Sequence, residues 1–135
     1  MKKLFLLLAL VPIVSFSQYQ KEIDSLYKII NSNDKAEKKV MSYAELMEIY
    51  FETNPEKVEV VLKQLYKLNK NGSCIKCEAM GDFYTATIAD IDGDRNKTLQ
   101  YYELASQKSL KIEDYELYQD SKFHKSIAYF NIGDL

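Results

Sequence analysis

A Gly-Asp pair recurs in this chain at a fixed interval. Gly93-Asp94 and Gly133-Asp134 stand 40 residues apart, and one further step back of 40 lands at Thr53-Asn54, just before Pro55. The same interval of 40 aligns an aromatic column, Tyr43, Phe83 and Phe123, and a second apolar column, Ile49, Ala89 and Tyr129. After the first two turns it aligns Val58 with Thr98, Leu62 with Tyr102 and Leu65 with Ala105. A fixed period of a few tens of residues marks repeated supersecondary units. A unit too small to bury its own apolar face is stable only beside its neighbours.

The unit reads as helix, short turn, helix. Beyond residue 17 there are four glycines and one proline, Pro55, so few residues interrupt long periodic stretches. Ile23, Leu26, Ile29 and Ile30 are spaced along one helix face. Val40, Tyr43, Ala44, Met47 and Tyr50 repeat the spacing, and Val58, Val61, Leu62 and Leu65 do so again, followed by Leu68. No strictly alternating run argues for a strand. Asn54-Pro55 supplies a cap and the residue favoured at a first helical position. Gly72-Ser73 is expected to end one helix and cap the next. The fold class is therefore all-α.

The stretches "DGDRNKTLQYYELA" (92–105) and "SIAYFNIGDL" (126–135) resemble tetratricopeptide repeats. Gly93-Asp94, Tyr102 and Ala105 occupy signature places of that repeat, while Thr98 replaces its usual alanine. Ser42, Asp82 and Lys122 stand where a large aromatic is common, and Ala89 where a tyrosine is usual. The interval of 40 exceeds the roughly 34 residues of the common repeat, which implies longer helices or loops. The resemblance implies an α-solenoid of stacked antiparallel helix pairs with a right-handed twist. It spans residues 33–135 as about 2.5 units, with turns near 53–55, 92–94 and 133–134. Residues 18–32, with "EIDSLYKIINS", read as a leader or capping helix. The arrangement also resembles the exported N-terminal regions of Bacteroidetes-type sensor and regulator proteins. The chain stops at "IGDL", where the partner helix of the third unit is expected, and so reads as truncated.

Met1-Lys2-Lys3 precedes a mostly apolar run of 13 residues, Leu4 to Phe16, with small residues at Ser15 and Ser17. A bilayer crossing needs about 20 residues. The pattern is that of a secretory signal peptide over residues 1–17, cleaved before Gln18. It implies an exported protein, periplasmic or extracellular, with no other membrane span. Loss of Lys2 and Lys3 leaves 16 basic against 20 acidic side chains, a net charge of −4. That balance argues against nucleic acid, whose backbone demands clustered lysine and arginine.

Three constellations bear on chemistry. In "ADIDGDRNKT" (89–98), Asp90, Asp92, Asp94 and Asn96 alternate like the oxygen ligands of an EF-hand loop. That loop needs glycine sixth and a bidentate acid twelfth. Counted from Asp90, these places hold Arg95 and Tyr101; counted from Asp92, they hold Lys97 and Glu103. A capped turn accounts for the same residues without a metal, so none is assigned. Cys74-Ile75-Lys76-Cys77 is a CxxC. In an exported protein such a pair is either passive, reduced or bridged as a disulfide, or, at a helix start, a redox-active dithiol. Glu78 follows it where haem attachment requires histidine, and zinc would require further ligands. His124 is the sole histidine, sits in a helical pattern with no motif beside it, and reads as structural. No catalytic residue and no cofactor is assigned.

The chain holds 11 tyrosines and 6 phenylalanines, enough aromatics for recognition surfaces as well as for packing. In the resembled repeat, first helices line a concave groove where peptides dock. The residues implied for that groove are Tyr43, Met47, Tyr50, Phe83, Thr87, Asp90, Phe123, Ile127 and Phe130. The same aromatics would equally serve to pack helix on helix. The expected function is non-catalytic binding of a protein, a peptide or the chain's own downstream domain. The alternative is an exported thiol redox protein using Cys74 and Cys77.

Overall fold

The computed structural model of the chain describes residues 19–69 and 72–133. The expected signal peptide, residues 1–17, and the expected turn residue Asp134 lie outside them. The described residues form six helices and no strand. Helix α1 covers residues 19–30. It is followed by α2 (Ala36–Thr53), α3 (Glu56–Leu68), α4 (Ile75–Ile91), α5 (Arg95–Lys111) and α6 (Tyr115–Gly133).

Each helix packs on its sequence neighbour, and contact pairs give the directions. Tyr19 reaches Glu52 and Tyr27 reaches Tyr50, so α1 runs against α2. Tyr66 meets Asp82 and Thr85 while Asn69 meets Glu78, so α3 opposes α4. Thr87 meets Tyr102 and Asp82 meets Lys108, so α4 opposes α5. Helices two apart run parallel. The Tyr84 hydroxyl donates to Glu48 (2.7 Å) and lies 3.3 Å from the Ala44 carbonyl. On the other side of α4, Lys76 pairs with Asp114 of α6 at 3.2 Å, and the Phe83 and His124 rings lie 5.5 Å apart. Thus α2, α4 and α6 lie side by side, and residues about 40 apart in sequence are neighbours in space.

The turns explain where helices stop. After α4, Gly93 is left-handed (φ 76°), its amide donates to the Asp90 carbonyl, and the Asp94 amide donates to the Ala89 carbonyl. These two bonds form a Schellman stop, which favours glycine at the left-handed position. Asp94 then accepts the Lys97 amide through its carboxylate and starts α5. The α5–α6 turn repeats the device. Asp114 donates to the Ser109 carbonyl and accepts the Leu117 amide. Here Glu113 takes the left-handed place, with φ 59°.

Two expected caps differ. The Asn54 carbonyl, not its side chain, accepts the Lys57 amide, while Pro55 is already helical (φ −54°, ψ −30°). At α4 the cap is Cys74, not Ser73: the Cys74 sulfur accepts the Cys77 amide. Gly72 turns left-handed before it.

The core forms between α1–α4 with Leu117 of α6. All four periodic residues of α3, Val58, Val61, Leu62 and Leu65, are buried there, as are Val40, Tyr43, Ala44, Met47 and Tyr50 of α2. In α1, Leu26 and Ile30 are buried, Ile23 is half-buried and Ile29 is exposed, so the buried stripe is narrower than the sequence pattern. Thr98, Tyr102 and Ala105 are all buried on α5. Thr98 satisfies its hydroxyl by donating to the Asp94 carbonyl, which is how a threonine is tolerated at that interior place.

Candidate functional site

Three parallel helices bound an open cavity of about 320 Å³. Met41, Ala44 and Glu48 come from α2; Lys76, Met80, Phe83 and Tyr84 from α4; Leu117, Asp120 and His124 from α6, with Asp114 and Glu116 at the start of that helix. Its floor is apolar, and its rim is acidic. The lining holds four carboxylates, Glu48, Asp114, Glu116 and Asp120, against the single lysine Lys76, which is already paired with Asp114 at 3.2 Å. Tyr84 lies in the floor. Burial, then the hydroxyl's bond to Glu48 and the nearby carboxylates, push its phenol well above the ordinary tyrosine value, so it stays a neutral donor. That bond also fixes the direction of the Glu48 carboxylate.

The residues expected to line a groove divide into three sets. Tyr43, Met47 and Tyr50 are buried in the core. The Tyr50 ring lies under the Lys57 ammonium of α3, and its hydroxyl is 3.4 Å from that of Tyr27 on α1. None of the three lines the cavity between α2, α4 and α6, which corrects their placement in that groove; Tyr50 instead touches a smaller cleft of about 130 Å³ beside Tyr19, Ile23 and Lys57. Phe83 and Thr87 are half-buried against α5: the Phe83 ring meets the Tyr102 ring edge-on, and the Thr87 and Tyr102 hydroxyls are 3.2 Å apart. Of these two, Phe83 also lines the cavity. Asp90 is exposed at the end of α4. Phe123, Ile127 and Phe130 form an exposed stripe on α6 outside the cavity lining. The positions at intervals of 40 thus share a face of their helices, and that face meets α1 and α3 in the case of α2 and α5 in the case of α4.

Of the twelve residues that line the cavity, sequence reasoning placed only Phe83 at a binding site; Glu48, Tyr84, Asp114, Glu116 and Asp120 are the polar residues it missed, and Ala44 and His124 were read as structural. Only Tyr84 carried a signal, being one residue past the aromatic column.

The CxxC is a disulfide, Cys74–Cys77, with both residues buried (1% and 0% exposed). Asn69 holds the loop before it: its side-chain oxygen accepts the Cys74 amide at 2.8 Å, and its amide donates to Glu78. Glu78 in turn pairs with Lys108 (3.2 Å), which also binds the buried Asp82 at 2.6 Å. Asp82 further accepts the Tyr66 hydroxyl at 3.1 Å. Burial disfavours the Lys108 charge, but the bonds and charges of Asp82 and Glu78 outweigh it and raise its pKa. Asp82 stands in a slot where the resembled repeat carries an aromatic. Tyr66 of α3 fills the adjacent space, lying so close to Gly81 that an added Cβ would sit 2.7 Å from its ring.

The acidic stretch 90–96 is occupied by structure. Asp94 caps α5, Asp90 and Asp92 remain on the end of α4, and Glu103 binds Lys125 of α6 at 2.6 Å. Among the described residues no group of three or more His, Cys, Asp or Glu side chains is placed to hold a metal. The His124 ring stacks on Tyr102 (5.7 Å between centroids) and meets Phe83 and Phe123 edge-on. None of the described helices is long and apolar enough to cross a membrane.

No protein-family model matches the chain, and neither curated proteins nor solved structures give a match.

Proposed function

We propose that this chain is a non-catalytic binding module, a tetratricopeptide-like α-solenoid that receives a protein or peptide in the groove between α2, α4 and α6. The observation that carries the reading is the parallel alignment of those three helices at an interval of about 40 residues, with an open apolar floor between them. A groove built on packed helices is preformed, so little conformational entropy is lost when a ligand seats. The proposal includes export through the N-terminal segment, as the extracytoplasmic part of a sensor or signalling protein.

Methionine methyl groups provide the test. Met41 and Met80 line the groove, whereas Met47 is wholly buried in the core. Peptides selected from a random library against the full chain are expected to shift the 13C-methyl signals of Met41 and Met80 and leave Met47 in place. A library that yields no binder, or binders that leave Met41 and Met80 unmoved, would refute the groove.

The redox alternative has one supporting feature. The Cys74 sulfur sits at the start of α4, where helix amides stabilise a thiolate. Burial of both cysteines opposes it, because exchange requires an accessible sulfur. Rapid reduction of the native chain by a dithiol, faster than its unfolding, would favour the redox reading; reduction limited by unfolding favours a structural bridge.

A further inference from the structure

The acidic rim specifies the ligand more narrowly than the groove alone. We infer that the groove takes a short cationic segment of a protein, with lysine or arginine flanking one or two apolar side chains. This rests on the groove reading above and adds the ligand's chemistry.

Of the four carboxylates at the cavity, Asp114 is paired with its one lysine, which leaves Glu48, Glu116 and Asp120 without a cationic partner among the described residues. Beyond residue 17 the chain carries 16 basic against 20 acidic side chains, so a rim with three unpaired carboxylates and no free lysine is a local concentration and not a share of a uniformly acidic surface. Glu116 and Asp120 project from one side of α6 and are exposed, while Glu48 faces them from α2. An anionic ligand would meet uncompensated repulsion from both sides. A purely polar cation would leave the floor of Met80, Phe83 and Leu117 unused. An uncharged apolar ligand would use the floor and leave the charge of the rim unmatched. A ligand with an apolar centre and basic flanks satisfies floor and rim together. The volume of about 320 Å³ suits one or two side chains and their backbone, near the lower end of ligand pockets.

The test uses a fluorescent Lys-Lys-Leu-Phe-Lys-Lys peptide and the full chain, read by polarisation. Three comparison probes are the same peptide with glutamate for lysine, the same with serine for leucine and phenylalanine, and spermidine as competitor. The cationic apolar peptide is expected to bind, and to weaken as salt rises. The double variant Glu116→Gln/Asp120→Asn should lose about tenfold or more in affinity. The variant Glu56→Gln/Glu59→Gln, with the same change in net charge on exposed α3 positions, should bind as before. Equal losses in both variants, tight binding of the glutamate or serine peptide, or full displacement by spermidine at equal charge would each overturn the inference. Binding of the glutamate peptide with shifts at Met41 and Met80 would sink the cationic assignment and leave the groove reading standing. Self-association that blocks peptide and disappears in the Glu116→Gln/Asp120→Asn variant would assign the groove to a second copy instead. Failure of every peptide to move Met41 or Met80 would sink both.

Discussion

Three sets of side chains separated by intervals of 40 residues meet three different fates. Tyr43, Met47 and Tyr50 on α2 are buried; Phe83, Thr87 and Asp90 on α4 grade from half-buried to exposed; Phe123, Ile127 and Phe130 on α6 are exposed. The backbone places them alike, on equivalent faces of parallel helices. What differs is the cover. Helices α1 and α3 close over the first set, α5 closes over part of the second, and no described helix follows α6. The comparison teaches that the recurring aromatics chiefly mark the face a helix turns toward its partner. The open cavity lies where the three helices meet each other.

The largest expected effect follows from that gradient of cover. Met47→Ala should destabilise the chain by about 2–5 kcal/mol, because it opens a cavity in a closed core. Phe83→Ala should cost about 2 kcal/mol, part of the burial being absent already. Ile127→Ala should stay within about 0.5 kcal/mol. Urea unfolding of the three variants measures the order, and an Ile127→Ala loss equal to that of Met47→Ala would break the comparison.

A second difference separates α4 from its counterparts. Gly81 has the Tyr66 ring pressed on it, whereas Met41 and Ser121 flank the corresponding stretches of α2 and α6. Gly81→Ala should displace the ring and loosen the Tyr66–Asp82 bond, costing about 1–3 kcal/mol despite alanine's better helix propensity. Tyr66→Ala in the same chain should recover part of that loss, because the clash is gone; additive losses would contradict the close contact.

The two Schellman turns allow a smaller and opposite test. Gly93 and Glu113 hold the same left-handed place, with φ 76° and 59°. Glutamate pays a steric penalty there that glycine avoids, about 1–2 kcal/mol before glycine's greater chain entropy is counted. Glu113→Gly is expected to raise stability by up to about 1 kcal/mol, and Gly93→Ala to lower it by about 1 kcal/mol. Thermal unfolding with equal effects of one sign would show that the turns are not equivalent.

Stability should also depend on alkaline pH, through the buried phenols. Burial, followed by the Tyr27 hydroxyl, raises Tyr50 to about 12, and burial first of all raises Tyr66 and Tyr84 further. Lys108 is raised by its carboxylate partners in spite of burial. In each case the folded state favours the protonated form. The contribution is therefore complete below the ordinary tyrosine value of 10.0 and is lost as pH climbs through the folded values. Tyr84→Phe should begin about 1 kcal/mol less stable at neutral pH, having lost its hydrogen bonds, and then decline less steeply above pH 10. Parallel curves for the two proteins would remove Tyr84 from the account. Glu103, lowered chiefly by its hydrogen bond from Lys125, works the other way, its contribution being lost as pH falls below its ordinary value.

Much of the helical layout was legible. The spacing of Val58, Val61, Leu62 and Leu65 matched the buried set of α3, and Gly93-Asp94 marked a turn whose glycine and aspartate each have a definite bond to make. The α5–α6 turn was not legible, because Glu113 stands where glycine would signal it. Helix α4 packs through Ala79, Gly81, Ala86 and Ala89, small residues whose spacing carries little apolar signal. The groove was hidden for a different reason. Glu48, Met80 and Asp120 are far apart in sequence and gain meaning only when three helices lie abreast. The aromatic column was visible, but nothing in it distinguished a side chain under a partner helix from one facing a ligand.

The parallel alignment of α2, α4 and α6 is the claim on which the rest depends, and nuclear Overhauser contacts reach it directly. Cross-peaks between the Tyr84 ring and the Ala44 methyl, and between the Phe83 and His124 rings, are the expected result in the isolated chain. Their absence, with Tyr84 seen only beside α3 or α5, would contradict it.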